Sequence, residues 1–321
     1  MKSCWIRSHQ GKLTLEIRDA PVPQPKPGEI LLRVHAAALN RGELNARYHA
    51  EGAKIGGAEA AGEVQAVGDG VNGIKPGDRI MGRAKGGFTE YALLDAHQAI
   101  PVPERLTWEQ AAGVPSVFLI TYEMLYPYGK LKSGEWLLVT AASSGVGVAC
   151  LQTGKFLGAR VIGTSRSADK LAKLKALGLD AGIHTRGPEF AAQVRAVTGG
   201  KGADVIVNNV GGSVFPECLR ALAYQGRLAT VSTLDNVTKC EIDISELHAN
   251  RWELFGVSTK SMPAAKRAQT VRDFIHDVLP GYADGRISPV IDRIFSFDEL
   301  PAAWDYMKSN AQVGKIAVRV P

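Results

Sequence analysis

Apolar positions follow two rhythms along the chain of 321 residues. Up to about residue 115, short alternating or β-branched runs at 13–17, 30–36, 62–67, 78–81 and 88–94 read as strands. They are cut by turn signals such as Pro25-Lys26-Pro27-Gly28, Lys75-Pro76-Gly77-Asp78 and Lys85-Gly86-Gly87. Frequent short strands of this kind predict a barrel or a strongly bent sheet. After Trp108, residues 109–114 and 118–125 read as helices, and then the two element types alternate. Strands are predicted at 136–142, 160–164, 181–184, 204–210 and 227–231, with helices at 145–157, 168–177, 189–197 and 214–222. These strands are apolar throughout rather than at every second position, so both of their faces are covered, as in a parallel sheet. Repeated strand–helix units predict a doubly wound α/β fold. From Ser258 the pattern loosens into helices at 266–279 and 297–308 and a closing strand at 315–320, a tail too short to stand alone. The expected division is therefore a β-rich domain of residues 1–117 and 258–321 enclosing a parallel-sheet domain of residues 118–257.

Composition narrows the function classes. The chain carries a net charge of +6, but its Lys and Arg residues are dispersed, with no run of five. This reads as a solvated basic surface that also suits an anionic cofactor, and makes nucleic acid an improbable partner. The longest apolar stretch, 136–142, is far too short to span a bilayer. The start Met1-Lys2-Ser3-Cys4-Trp5 has no secretory h-region. Cys4, Cys150, Cys218 and Cys240 are scattered, with neither zinc-site spacing nor a disulfide framework. The expectation is a reduced, cytoplasmic protein.

The segment Thr140-Ala141-Ala142-Ser143-Ser144-Gly145-Val146-Gly147 follows a buried strand and opens a helix. There a pyrophosphate would meet free N–H groups and the positive end of the helix dipole. The dinucleotide pattern G-x-G-x-x-G is incomplete: Ala142 and Ser144 stand at the first two glycine positions, and only Gly147 keeps its place, with Gly145 added. The competing reading is a strand-to-helix turn that simply needs glycine, against which the following strand–helix units weigh. The second strand ends Gly163-Thr164-Ser165-Arg166-Ser167 without the acid that would hold an NAD ribose. Ser165 offers hydrogen bonds, Arg166 a planar cationic fork and Lys170 a point charge, which together favour NADPH. Ser143, Ser144, Gly145, Val146, Gly147, Ser165, Arg166 and Lys170 are thus expected at the cofactor.

Several further segments make the chain resemble the medium-chain dehydrogenase/reductase superfamily over nearly its whole length. They are Pro27-Gly28-Glu29-Ile30, Leu39-Asn40-Arg41-Gly42-Glu43, Ala58-Glu59-Ala60-Ala61-Gly62, Pro76-Gly77-Asp78-Arg79, Gly87-Phe88-Thr89-Glu90-Tyr91, Asn209-Val210-Gly211-Gly212 and Gly314-Lys315-Ile316. Within the superfamily the chain is similar to the zinc-independent, quinone oxidoreductase-like (zeta-crystallin-like) branch. The resemblance implies a GroES-like catalytic domain interrupted by a Rossmann domain, an active site in the cleft between them, and a homodimer formed through the nucleotide domains. It also implies that Asn209 and Val210 line the adenine and ribose path and that Ser232 and Thr233 approach the nicotinamide. Phe255, Gly256 and Val257 would flank the carboxamide, and Arg41 and Lys315 would reach phosphates.

Zinc-dependent relatives present a cysteine, a histidine and a further ligand where this chain has Asn40, Ala58 and Ser116, none of them a good zinc ligand, and no four-cysteine lobe exists. No metal is expected. Without a Lewis acid, simple alcohol oxidation becomes difficult, whereas hydride delivery to an already electrophilic small molecule remains feasible. Asn40 is the candidate to donate its amide to the substrate oxygen or the nicotinamide ribose, and Tyr48 the candidate second donor or apolar wall. The first functional reading is NADPH-dependent reduction of a quinone, and the second is an enoyl or alkenal double-bond reductase. A third, of another class, is a basic nucleic-acid-binding or structural protein that retains the fold, and it requires a clustered basic face.

Overall fold

The computed structural model describes residues 1–45, 50–259 and 261–321. The chain separates into two units, Met1–Leu119 with Ala264–Pro321, and Ile120–Pro263. The first unit begins with β1 (Lys2–His9), β2 (Lys12–Asp19), β3 (Glu29–Ala38), β4 (Gly52–Ile55), β5 (Glu59–Val67), β6 (Arg79–Arg83), β7 (Tyr91–Asp95) and β8 (Ile100–Pro101). Strands β2, β1 and β4 form a small antiparallel sheet. β3 is central to the larger one and pairs antiparallel with both β5 and β7. Its turns are made where the sequence puts Gly after Pro: Gly77 sits at φ +91° between β5 and β6, with the Asp78 N–H closing onto the Lys75 carbonyl at 3.1 Å.

Helices α1 (Trp108–Ala112) and α2 (Pro115–Glu123) follow. The second unit then runs β9 (Trp136–Val139), α3 (Gly145–Phe156), β10 (Arg160–Ser165), α4 (Ala168–Ala176), β11 (Ala181–His184), α5 (Ala191–Val197), β12 (Ala203–Asn208), α6 (Phe215–Ala221), β13 (Leu222–Thr230), α7 (Ile244–Asn250) and β14 (Glu253–Gly256). Its six strands lie in the order β11-β10-β9-β12-β13-β14, every pair parallel. Leu137, Leu138 and Val139 of β9 are fully buried, which is why that run is apolar without alternation. The chain winds from β9 outward to β11, then returns to start again at β12 on the other side of β9. Open sheets of this kind bind ligands at such a reversal, outside the carboxyl ends of the strands.

After α8 (Ala264–Asp277) and α9 (Leu279–Ala283) come β15 (Ile291–Ser296), α10 (Leu300–Lys308) and β16 (Lys315–Arg319). β16 pairs antiparallel with β3, and β15 parallel with β16, so the tail extends the first unit's sheet. Phe295, Phe297, Trp304, Ile316 and Val318 join Ile30, Leu32, Val34 and Phe88 in one core.

The structure corrects several element expectations. The strand expected at 62–67 begins at Glu59. The one expected at 88–94 begins at Tyr91, because the fully buried Phe88 gives its own N–H to the Gly56 carbonyl in a loop. The helix expected from 189 starts at Ala191, where the Glu217 carboxylate accepts the Phe190 and Ala191 N–H groups at 2.7 and 2.6 Å. Strand β1 has no counterpart among the predicted elements because its buried positions include Ser3 and Ser8, which hide the alternation. Among the described residues, no helix is long and apolar enough to cross a membrane.

Candidate functional site

In the second unit, β9 delivers the chain to the loop before α3. Ala141 takes up the left-handed conformation at φ +49°, and the Ala142 N–H bonds the Thr164 carbonyl of β10 at 2.9 Å. Ser144 caps α3: its Oγ accepts the Gly147 N–H at 3.0 Å and the Asn209 Nδ2 at 2.5 Å. With both lone pairs occupied, its own proton is left to donate. The Gly145 and Val146 amides have no intrahelical acceptor, as at any helix start, and the helix behind them is twelve residues long.

Two glycines permit this loop. A Cβ on Gly147 would lie 2.5 Å from the Ala142 carbonyl oxygen, so α3 starts this close to the loop only without a side chain there. A Cβ on Gly163 would lie 2.7 Å from the Ala142 Cβ. The alanine that occupies the motif's first glycine position is therefore accommodated by a glycine on the neighbouring strand. Nothing in the loop itself signals that compensation.

At the end of β10, the buried Ser165 Oγ accepts the Ser167 N–H at 3.2 Å, and the Ser167 Oγ caps α4 through the Lys170 N–H at 3.3 Å. The Arg166 side chain is exposed, while its carbonyl accepts Nε2–H of His184, the residue paired with Ser165 across the sheet, at 3.1 Å. Lys170 occupies the first turn of α4. No acid stands at the end of β10 itself, and the first acid after it, Asp169, lies beside Lys170 in the first turn of α4.

The Asn209 N–H donates to Thr140 Oγ1 at 2.8 Å, tying the end of β12 to the phosphate loop. Asn208, which the sequence does not single out, folds the turn after it. Its Oδ1 accepts the Val210 and Gly211 N–H groups at 3.0 and 3.1 Å, and its Nδ2 donates to the Gly211 carbonyl at 2.9 Å. Asp235 braces the same turn by accepting the Ser213 and Val237 N–H groups at 2.8 and 2.9 Å. Burial raises its pKa, but the hydrogen bonds from Ser213 and Val237 prevail and hold it below the usual carboxylate range. Ser232 is half-buried and Thr233 exposed in the loop after β13. Phe255 packs 5.6 Å from the Tyr128 ring, Gly256 ends β14, and the Val257 N–H bonds the Thr230 carbonyl at 3.0 Å.

The first unit contains a second polar centre. The buried Lys315 ammonium donates to the Leu39 carbonyl at 2.7 Å, Asn40 Oδ1 at 2.9 Å and Glu59 Oε1 at 2.7 Å. Asn40 Nδ2 donates to the same Glu59 oxygen at 2.8 Å, and the other Glu59 oxygen accepts the Ser116 N–H at 2.7 Å. All three ammonium protons of Lys315 are thus used inside its own unit. The phosphate contact implied by the resemblance does not fit this arrangement. Arg41 likewise spends part of its guanidinium on the Met307 carbonyl at 3.0 Å. The Glu43 carboxylate accepts the Asn40 N–H at 2.9 Å. Burial pushes the Glu43 carboxyl up to about 7, against the pull of that N–H and of Lys315. Tyr48 lies outside the described residues.

Two family models match the chain: the alcohol dehydrogenase GroES-like domain over residues 26–104, and the zinc-binding dehydrogenase over residues 145–277. The chain belongs to the medium-chain dehydrogenase/reductase superfamily, whose members are oxidoreductases, and it has that superfamily's GroES-like and Rossmann-type domains. The human synaptic vesicle membrane protein VAT-1 homolog is 29% identical over 95% of this chain and 82% of its own length. The highly reducing polyketide synthase ALT1 of Alternaria alternata is 28% identical over 96% of this chain, which spans only 12% of that protein. Two mycobacterial structures, one described as a quinone oxidoreductase and one solved with NADPH, are each 26% identical with a TM-score of 0.88, covering 99% of this chain and 100% of theirs. Another, described as an NAD-dependent alcohol dehydrogenase, is 28% identical with a TM-score of 0.88 and covers 100% of both chains.

The zinc named in the second family model does not fit here. Among the described residues, no three His, Cys, Asp or Glu side chains converge as metal ligands. Where the resemblance places ligands, this chain has an amide, a methyl and a serine, and the Glu59 carboxylate beside them is bonded to a lysine. A fixed ammonium 2.7 Å from the Glu59 carboxylate would repel a divalent cation.

Proposed function

We propose that the protein is an NADPH-dependent oxidoreductase that delivers hydride to a quinone or a similar electrophilic small molecule without zinc. The observation that carries this reading is the end of β10. It carries no carboxylate, offers Ser165 and Arg166 in sequence with Lys170 in the next turn, and lies one strand away from a capped helix start that suits a pyrophosphate. Bound NADPH supplies the hydride. The Gly145 and Val146 amides and the Ser144 hydroxyl hold the pyrophosphate, and the Arg166 fork takes the 2′-phosphate in a charge-assisted, bidentate contact. Asn209 and Val210 bound the adenine ribose, Ser232 and Thr233 face the nicotinamide, and the Phe255–Val257 backbone flanks its carboxamide. Asn40 donates a hydrogen bond to the acceptor's oxygen, stabilising the charge that develops there as hydride arrives. The acceptor is already electron-poor, so hydrogen bonding replaces the Lewis acid that an alcohol would need.

Fluorescence titration of the purified protein with NADPH and NADH tests the cofactor, and Arg166→Ala tests its recognition. NADPH should bind at least about tenfold more tightly, and the variant should lose that preference. Preference for NADH, as in the relative described as NAD-dependent, would remove the basis of the reading. The match to a highly reducing polyketide synthase favours a second reading, an enoyl or alkenal double-bond reductase. Turnover of a quinone against an α,β-unsaturated ketone or thioester, followed at the NADPH absorbance, separates the two. A homodimer formed through the nucleotide domains is part of the proposal and is tested by the mass in solution.

A further inference from the structure

We propose that Lys315 and Glu59 are positioning residues that lock the Asn40 amide in one orientation, with one Nδ2 proton spent on Glu59 and the other left for the acceptor. The inference rests on the functional reading above and identifies how its oxygen-binding donor is held.

The argument begins with which groups can donate. An ammonium only donates and a carboxylate only accepts. Lys315 Nζ lies 2.9 Å from Asn40 Oδ1, and Glu59 Oε1 lies 2.8 Å from Asn40 Nδ2. Turning the amide over would set its NH2 against the ammonium and its carbonyl against the carboxylate, two repulsions in place of two charge-assisted bonds. The pair therefore fixes the amide by charge as well as by packing. The three protons of Lys315 are all used, since it also bonds Glu59 and the Leu39 carbonyl, and the other Glu59 oxygen takes the Ser116 N–H. Within this cluster, the second Nδ2 proton is the one side-chain donor without an acceptor. Burial follows the same division. Glu59 is fully buried and Lys315 only 5% exposed, while Asn40 is half-buried and reachable. A neutral ion pair kept from solvent thus carries an amide that meets it. The segments come from β3's end, β5, α2's start and β16, so the orientation is set by the sheet and not by the loop alone.

The test uses the full chain with NADPH and whichever quinone or enone it reduces. Lys315→Met with Glu59→Gln removes both charges together, so neither ion is left alone. The expected result is a fall in kcat of about tenfold or more, with NADPH affinity within about twofold of wild type and no additional loss when Asn40→Ala is added. A role in stability alone would instead give additive losses. Unchanged kcat, or an additive loss with Asn40→Ala, overturns the proposal. So does a tenfold weaker NADPH complex, since Lys315 would then be a cofactor ligand. Should the double variant not fold, Lys315→Arg keeps the charge but cannot reproduce three ammonium bonds. It is expected to lose kcat several-fold at unchanged NADPH affinity, and full activity would overturn the clamp. In wild-type protein labelled with 15N-asparagine, one Asn40 side-chain proton should be protected from exchange and the other should exchange freely. Equal exchange of both overturns the clamp. If no acceptor is turned over, the functional reading fails separately, and the exchange measurement still decides the clamp.

Discussion

The phosphate loop and the Asn40 centre solve the same problem, keeping polar groups ready inside a folded protein, by opposite means. Before α3 the work is done by backbone amides, a helix dipole and small residues, most of them within ten positions of one another, with Asn209 and the β10 residues Gly163 and Thr164 added from outside. Around Asn40 it is done by the full charges of Glu59 and Lys315, which the fold brings together with the Asn40 amide and the Ser116 N–H. The first arrangement is neutral and tolerates solvent. The second depends on exact pairing, because removing one ion leaves the other buried and alone. Local construction therefore makes a binding surface robust, and long-range construction makes an orientation fragile but specific.

Mutations should expose this difference. Lys315→Met alone strands the Glu59 charge and should cost about 3–5 kcal/mol of stability, read as a lowered denaturant midpoint, with much of the loss recovered by adding Glu59→Gln. Gly163→Ala, which presses a methyl onto Ala142, should cost about 1–3 kcal/mol, and Ala142→Gly in the same chain should restore at least half. Arg166→Ala should weaken NADPH by about tenfold, or ~1.4 kcal/mol, and leave NADH binding and stability unchanged by the same titration. Ser144→Ala should lose about 1 kcal/mol from the cap, seen in thermal unfolding. Glu43 gives an effect of another kind, a pH dependence. Its carboxyl is raised from its ordinary value of 4.5 to about 7 in the folded chain, so between those pH values the folded state holds more protons than the unfolded one. Stability then falls as pH rises through that window, and Glu43→Gln should flatten that part of the thermal-midpoint profile.

What the sequence reveals follows the same line. The buried parallel strands, the helix start at Gly145 and the acid-free end of β10 are legible because each is encoded in neighbouring residues. Asn208 is not, since its role appears only once the turn after β12 has closed. The destination of Lys315 is illegible for a stronger reason. A lysine beside Gly314 in the closing strand resembles a phosphate ligand, and only the pairing of β16 with β3 brings its ammonium to Glu59. Strand β1 escapes the hydrophobic pattern because Ser3 and Ser8 occupy inward positions, Ser3 bonding the Arg18 carbonyl at 2.8 Å.

The contact between Gly163 and Ala142 also limits the route by which such a loop can arise. From an ancestor with glycine in the loop and a larger residue on the strand, changing the loop first would drive two carbons to within 2.7 Å. Changing the strand first meets no such clash. The contact therefore favours one order of the two changes over the other. Once both are in place, reverting the strand glycine costs stability while the alanine remains.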